Sequence, residues 1–205
     1  MADVLTADPI PDSDVRSGAI LLARHGEPAI SRKVLLSPRA YGEFWSRYEL
    51  QGLLPGQAPP DALVAAAAQA GTLLASTRRR SVESAEMLAP GRDFAREQIL
   101  IEAPLPPPPF PDFVRLSPKI WGFIARFWWW FFNHHKGQET RRQAELRADQ
   151  AATLIEAIAD SGQDVVVLAH GFFNFMIGRA LKRRGWRLVA GEGFKYWSTR
   201  RYERV

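Results

Sequence analysis

Three clusters of polar residues in this chain combine residue types that could bind and attack a phosphate group. Each cluster follows a short apolar run, and the clusters are Arg24 to Gly26, Ser76 to Arg80, and His170 with Gly171. In an open α/β sheet the carboxyl ends of neighbouring strands converge on one crevice, so residues that are distant in sequence can meet there. We therefore expect two histidines and two arginines to share one site.

These residue types suit phosphoryl transfer. A neutral imidazole is a nucleophile toward phosphorus, and its phosphohistidine product can be hydrolysed in a second, easier step. Guanidinium groups match phosphate oxygens in pairs and stay charged at any working pH, so they can stabilise the charge of the transferring group. This chemistry requires no metal ion and no cofactor.

The surrounding sequence predicts alternating strands and helices that would place these clusters at strand ends. Apolar periodicity, N-cap serines and prolines at helix starts support the assignment. Strands are predicted over residues 18–23, 72–75, 97–101, 164–169, 186–189 and 194–202. Helices are predicted over residues 37–50, 61–70, 79–88, 118–134, 139–161 and 172–184. This order predicts an α/β fold, a three-layer α/β/α sandwich with a mostly parallel central sheet.

Length and composition favour one domain. The 205 residues, 46% of them hydrophobic, can bury a sizeable core. Residues 1–17 are rich in proline and aspartate and are predicted to form a flexible tail before a single domain over 18–205. The proline run 105–111 is expected to be a stiff surface loop within a helical lid insertion over about 103–138.

Charge and cysteine content exclude several function classes. The formal net charge of +5 is too small and too dispersed to predict nucleic-acid binding. Without cysteine there is no disulfide framework and no thiolate site. The acidic N-terminus does not resemble a secretory signal, so we expect a cytoplasmic protein. The apolar run 120–132 is shorter than the roughly 20 residues of a membrane-spanning helix.

Three motifs in the correct order resemble those of the histidine phosphatase superfamily, also called phosphoglycerate mutase-like. Residues 24–28, Arg-His-Gly-Glu-Pro, resemble its RHG signature; residues 76–85 resemble its SPLxRAxxTA segment; residues 168–171 resemble its second histidine motif. The resemblance spans residues 20–181. Thr77 and Arg78 replace the usual Pro-Leu of the second motif.

The resemblance implies roles for individual residues. His25 would be the nucleophile. Arg24, Arg80, His170 and Ser31 would hold the phosphoryl oxygens, with Ser31 standing where many members have asparagine. Glu102 would protonate the leaving oxygen and then activate water. Glu27, Tyr48 and Trp128 are expected to line the substrate pocket, and Glu27 and Glu49 are the next candidates for the acid.

The leading hypothesis is therefore a metal-independent phosphomonoester hydrolase of the histidine acid phosphatase type, acting on a small-molecule phosphomonoester. Alternatives are a phosphoglycerate mutase-like phosphotransferase, a phosphoprotein phosphatase and a non-catalytic protein that binds a phosphorylated ligand on the same fold. Adjacent helical residues point about 100° apart, so His134 and His135 are not expected to chelate a metal.

The aromatic segment 120–132 leaves four interpretations open: part of the hydrophobic core, a lid over the site, a peripheral membrane contact, and a homodimer interface. Its continuous run of aromatic side chains does not fit a helix with one apolar face, so some of them should be exposed or should line the pocket. In a lid they would favour an apolar phosphate ester. The aromatic residues expected in such a lid are Trp121, Phe123, Phe127, Trp128, Trp130 and Phe131.

Overall fold

A computed structural model describes residues 16–204, and it contains one six-stranded sheet. The strands are β1 (Ile20–Arg24), β2 (Thr72–Ser76), β3 (Ala95–Glu97), β4 (Val165–Ala169), β5 (Trp186–Gly191) and β6 (Thr199–Arg204). Their order across the sheet is β3-β2-β4-β1-β6-β5. The first four in this order are parallel, whereas β6 and β5 are antiparallel to their neighbours. Most of the proposed tail, residues 1–15, lies outside the described residues.

Helices cover both faces of this sheet, as the alternation of strands and helices predicts. They are α1 (Pro38–Leu50), α2 (Asp61–Gln69), α3 (Arg79–Leu88), α4 (Pro118–Phe132), α5 (Arg141–Asp160) and α6 (Gly171–Arg183). One core cluster packs α5 and α6 against the sheet, and a second packs α2 and α3 against its opposite face. The three-layer sandwich is therefore confirmed.

Strand β4 is apolar at every position because both of its faces are buried. Val165 and Val167 pack toward α5 and α6, whereas Val166 and Leu168 pack toward α2 and α3. Successive side chains of a strand point to opposite faces, so a strand covered on both faces needs an apolar residue at every position. The polar residue that follows, His170, therefore lies at the carboxyl end of a fully buried strand.

Helix α4 and helix α1 form a smaller unit beside the sheet. A third core cluster joins them through Tyr41, Leu105, Trp121 and Ala125. Both helices begin at a proline that follows an N-cap serine, and Ser37 Oγ and Ser117 Oγ each accept the backbone N–H of the residue three positions later. Residues 103–117 connect this unit to the sheet and contain neither helix nor strand.

Two predicted strands are wrong in their bounds. The predicted strand over 97–101 is instead β3, which ends at Glu97, followed by a short 3₁₀ helix, Gln98–Leu100. The predicted strand over 194–202 begins only at Thr199, because Trp197 has a φ of 62° and interrupts the extended backbone. Helix α4 also ends two residues early, where Asn133 adopts the left-handed conformation.

No helix within residues 16–204 is long and apolar enough to span a membrane.

Gly178 allows α6 to pack closely against β6 of the sheet, and we expect Gly178→Ala to destabilise the fold. A Cβ there would lie 2.0 Å from Tyr202 Oη, and Tyr202 is buried in β6. Overpacking of this kind costs about 1–3 kcal/mol, more than the helical gain of alanine over glycine. Urea unfolding measures the difference.

Gly122→Ala in α4 is the matched control, because its Cβ would meet Tyr41 Oη at an ordinary 3.7 Å. The control should leave stability unchanged or raise it by up to about 1 kcal/mol. Adding Tyr202→Phe to Gly178→Ala should recover part of the loss. An unchanged free energy of unfolding in Gly178→Ala would contradict the packing described here.

Candidate active site

The carboxyl ends of β1, β2 and β4 open into a cavity of about 470 Å³. Its lining joins residues of all three polar clusters to residues of α1, α4 and α6. The charged, histidine and tyrosine side chains of the lining are Arg24, His25, Arg32, Tyr48, Arg80, Glu102, Lys119, Arg126 and His170. The structure therefore brings together the strand-end residues that the sequence predicted to meet.

His25 lies directly after β1 with its ring fixed in one orientation. Its Nδ1 donates to the Gly26 carbonyl over 2.6 Å, and its backbone N–H donates to the Ala169 carbonyl of β4. With the proton on Nδ1, Nε2 carries the lone pair. Burial lowers the pKa of His25 well below its ordinary value, and the positive charges of Arg80 and Arg24 lower it further. The imidazole is therefore neutral at physiological pH.

Gly26 is required by the close packing behind His25. A Cβ at this position would lie 2.4 Å from the Trp197 ring and 2.5 Å from Gln57 Oε1. The Gly26 N–H donates to Ser84 Oγ of α3 over 3.0 Å. Gly26, whose carbonyl orients the His25 ring, thus lies closely packed between Ser84 of α3 and Trp197.

Arg80, in the first turn of α3, is the most buried cation of the site, with 0% exposure. Its Nε donates to His25 Nε2 over 3.2 Å, and one terminal nitrogen donates to His170 Nδ1 over 3.3 Å. The remaining contacts are with the Tyr48 and Glu49 carbonyls and with the Glu49 carboxylate at 2.9 Å. Arg80 therefore links both imidazoles to the end of α1.

His170 lies at the N-cap of α6, and its ring meets that of His25 edge-on at 5.1 Å. Its Nε2 is 2.8 Å from Ser76 Oγ. Burial lowers the pKa of His170 well below its ordinary value, with Arg80 as the second cause. Because Arg80 donates to Nδ1, the proton of this neutral ring lies on Nε2 and is donated to Ser76.

Arg24 and Arg32 add two cations near His25. The Arg24 guanidinium stacks 4.3 Å from the Tyr196 ring centroid and donates to the Phe194 carbonyl. Arg32 donates to the Tyr196 hydroxyl over 3.2 Å. The Nε atoms of both arginines are buried without a hydrogen-bond partner among the described residues.

Glu102 lines the cavity even though the strand predicted to end there does not form. Its carboxylate accepts the backbone N–H groups of Phe173 at 2.9 Å and Phe172 at 3.4 Å, in the first turn of α6. It also accepts the N–H of Ala103 at 3.1 Å. Arg126 of α4 lies 3.9 Å away. Glu102 is therefore fixed at the helix N-terminus beside His170.

Three residues expected at the site do not line the cavity, although Tyr48 does. Ser31 is exposed, and its Oγ accepts the Lys33 N–H. Glu27 is also exposed, and its backbone bonds to the Gln57 side chain. Trp128 packs on Phe110 and Phe132 instead. The structure therefore places these three side chains outside the cavity that they were expected to line.

The aromatic segment also contributes less to the cavity than expected. Of its six aromatic residues named above, only Phe123 lines the cavity. Trp121 and Trp129 are turned into the cores, whereas Phe127 and Phe131 are exposed away from the cavity. The aromatic lid expected for an apolar ester is therefore not what α4 presents to the site.

Sequence reasoning assigned no cavity position to Arg32, Lys119 or Arg126. Lys119 and Arg126 are seven residues apart, two turns of α4, so they occupy one face of the helix. The Lys-x₆-Arg spacing with Gly122 between them was the available signal. No comparable signal distinguishes Arg32 from Ser31 in an irregular loop.

Several solved structures share this fold. Mycobacterial hydrolase 1 matches with a TM-score of 0.57 at 17% identity, over 90% of this chain and 88% of that one. The product of open reading frame Rv3214 of Mycobacterium tuberculosis gives 0.52 at 20% identity, over 90% of each chain. The mycobacterial glucosyl-3-phosphoglycerate phosphatase Rv2419c gives 0.52 at 21% identity, over 82% and 81%. No family model matches the chain, and the search of curated proteins finds no match.

The two buried histidines predict a loss of stability in mild acid. Their pKa values are lowered in the folded chain, so below about pH 6.5 the unfolded chain binds protons that the folded chain does not. The free energy of unfolding should therefore fall as the pH drops from 7.5 to 5.5. Urea unfolding at fixed pH steps measures this slope.

The double variant His25→Gln, His170→Gln removes both groups and should show a flatter slope across the same window. Carboxylates titrate mostly below this pH window, so they contribute little to the slope. An equal slope in the double variant would show that other groups control the acid sensitivity.

Proposed function

We propose that this chain, which has the phosphoglycerate mutase-like fold of the histidine phosphatases, is a metal-independent phosphomonoester hydrolase acting through a phosphohistidine on His25. The observation that carries the proposal is the orientation of one imidazole. His25 is neutral, its Nδ1 is bound to the Gly26 carbonyl, and its Nε2 meets Arg80 at the cavity. A lone pair that can attack phosphorus and a guanidinium that can hold phosphoryl oxygens thus lie side by side at the cavity.

The proposed first step transfers the phosphoryl group to His25. The Nε2 lone pair forms the N–P bond while the bond from phosphorus to the ester oxygen breaks. Arg24 and Arg80 hold the non-bridging oxygens, and the Arg80 N–H that reaches His25 in the free chain is then available to the phosphate. Glu102 gives its proton to the departing ester oxygen, which leaves as an alcohol.

The second step returns the free enzyme. Water attacks the phosphorus of phospho-His25, Glu102 accepts the proton of the water, and the N–P bond breaks to release inorganic phosphate. Glu102 suits this exchange because it lines the same cavity and is fixed by the first turn of α6. The proton that Glu102 accepts from water replaces the one that it gave to the ester oxygen in the first step.

We further propose that His170 donates to a phosphoryl oxygen during transfer. In the free chain Arg80 donates to His170 Nδ1. When Arg80 turns to the phosphate, Nδ1 loses this donor and can carry the proton instead. The Ser76 hydroxyl then donates to Nε2, which is already 2.8 Å away. Phosphate binding would thus switch the His170 tautomer.

Among the structural neighbours, the phosphatase name of Rv2419c supports hydrolysis, and mycobacterial hydrolase 1 is a hydrolase by name. Their names say nothing of the substrate of this chain.

For His25→Ala we expect a loss of phosphomonoesterase activity of at least about 10³-fold with the fold retained, because the nucleophile is removed. The readout is phosphate release from a panel of phosphomonoesters, with and without a chelator. Acid-labile, base-stable label should be trapped from labelled substrate in the wild type and be absent in the variant.

His134→Ala is the matched control, because His134 bonds to the Pro107 carbonyl and does not line the cavity. It should keep both turnover and label. Label on a hydroxyl or carboxylate, turnover of His25→Ala within tenfold of wild type, or complete dependence on a metal would each contradict the proposal.

For Glu102→Gln we expect a much larger loss on alkyl phosphates than on an activated aryl phosphate, because only the poor leaving group needs a proton. The amide oxygen can still accept the N–H of Phe173, the shorter of the two α6 hydrogen bonds, so the main contact with the helix start is kept. The measured quantity is the ratio of kcat/KM for the two ester classes.

Glu27→Gln, at an exposed carboxylate outside the cavity, should leave this ratio unchanged. Equal losses on both esters in Glu102→Gln would assign Glu102 a structural role. A shifted ratio in Glu27→Gln would instead support Glu27 as the acid.

A further inference from the structure

Helix α4 carries apolar side chains on the side that points away from the protein. They are spaced three and four residues apart, so they form one stripe along the helix. The residues of this stripe, here called the outer face of α4, are Ile120, Phe123, Phe127 and Phe131. Phe123 is 74% exposed and Phe131 is 65% exposed, whereas Trp121 and Trp129 on the opposite side are buried in the cores. A surface helix normally presents polar side chains to water, so the outer face of α4 has the character of a binding surface.

The apolar surface is continuous along α4 and extends beyond it. The ring centroids of Phe127 and Phe131 are 4.8 Å apart near the end of the helix. Before the start of the helix, Leu36 and Leu116 exchange backbone hydrogen bonds of 2.9 and 3.1 Å. These bonds hold a second loop beside α4, and that loop exposes Leu35. The surface therefore runs the length of the helix and onto the neighbouring loop.

The two segments that form this surface contain cations and no carboxylates. Residues 28–42 and 113–138 hold seven lysines and arginines but no aspartate or glutamate. Their formal charge of +7 exceeds the +5 of the whole chain, so the rest of the chain is net negative. Lys33, Arg115 and Lys119 are exposed, and in the part of the chain that the structure describes they form no salt bridge. Positive charge is thus concentrated beside the apolar stripe.

This combination fits the surface of an anionic lipid bilayer better than a second copy of the chain. A symmetric dimer would place the same surface of both copies face to face. The cations Lys33, Arg115 and Lys119 would then meet their own kind, and these segments offer no carboxylate to neutralise them. At a bilayer, anionic headgroups pair with such cations while apolar side chains enter the boundary of the acyl chains.

We propose that the outer face of α4 docks on the surface of an anionic lipid bilayer, with the helix lying along the membrane plane. This inference goes beyond the proposed function and does not depend on it. Phe123 belongs both to the outer face of α4 and to the lining of the active-site cavity. Docking therefore brings the mouth of the cavity to the level of the lipid headgroups.

The test measures the partition coefficient of the full chain on lipid vesicles by co-sedimentation. The vesicles contain phosphatidylcholine alone or with about 30 mol% phosphatidylglycerol, in about 0.1 M and about 0.5 M NaCl. We expect the partition coefficient to be at least about tenfold higher on the anionic vesicles. The higher salt concentration should lower it several-fold, because it screens the attraction of exposed cations to the headgroups.

The double variant Phe127→Ser, Phe131→Ser should lower the partition coefficient on anionic vesicles by at least about tenfold, because two apolar side chains no longer enter the bilayer. Both side chains lie outside the cavity. The matched control is Leu50→Ser, Leu146→Ser, which changes two exposed apolar residues of α1 and α5. The control should bind the vesicles as wild type does.

The double variant Lys33→Gln, Arg115→Gln should also lower the partition coefficient by about tenfold and should reduce its salt dependence. Its matched control is Lys182→Gln, Arg187→Gln, which changes the net charge equally. These exposed cations lie in the last turn of α6 and at the start of β5, near the amino ends of the parallel strands. The control should leave the partition coefficient unchanged.

Several outcomes would overturn the docking proposal. They are the absence of wild-type binding to anionic vesicles, an equal loss in a double variant and its matched control, and a loss in the charge variant alone, which would indicate adsorption without insertion. A dimer in sedimentation velocity that Phe127→Ser, Phe131→Ser dissociates, in place of vesicle binding, would make this surface an interface between copies.

The result is separate from that for the proposed function. All four double variants should release phosphate from a soluble ester at the wild-type rate, because none changes a residue of the cavity. If no phosphomonoester is turned over in a His25-dependent way, the proposed function fails, whereas the vesicle measurements still decide the docking proposal.

Discussion

The site depends on the complete burial of one guanidinium. Arg80 makes five hydrogen bonds, to two imidazoles, two backbone carbonyls and one carboxylate. A buried cation without such partners would be strongly destabilising, so these contacts hold α1, α3, β1 and β4 in one arrangement. The same charge contributes to the lowered pKa of both histidines. A single side chain therefore supports the local structure and helps to keep His25, the proposed nucleophile, neutral.

Glu102 links the candidate active site to helix α6. Its carboxylate binds the N-terminus of α6, where the helix dipole favours a negative charge. His170 is the N-cap of that helix. A displacement of α6 would therefore move the proposed acid and the second histidine together, which keeps their separation constant while the substrate binds.

The strand-end residues were predictable because buried strands have a distinct pattern. An apolar run that stops at a polar residue locates His25, Arg80 and His170 without knowledge of the tertiary structure. Glu102 was located correctly although its strand was not, because the chain returns to the same sheet edge after the 3₁₀ turn.

Other parts of the site carry no such pattern. Helix α4 is aromatic on nearly every face, so periodicity could not tell which side packs on α1 and which faces the cavity. The packing of Trp121 and Ala125 against Tyr41 and Leu105 determines which side of α4 faces α1. The loop that carries Ser31 and Arg32 lacks regular structure, so only tertiary contacts with Tyr196 select Arg32.

The two outer strands of the sheet bear on how copies of the chain can associate. An exposed strand edge presents free backbone donors and acceptors that can pair with the edge of another molecule. β3 has only three residues, two of them the charged Arg96 and Glu97. β5 carries Arg187 and a shift in register between Leu188 and Ala190. Both edges thus oppose the extension of the sheet from one molecule to the next, which protects the chain against fibrous aggregation.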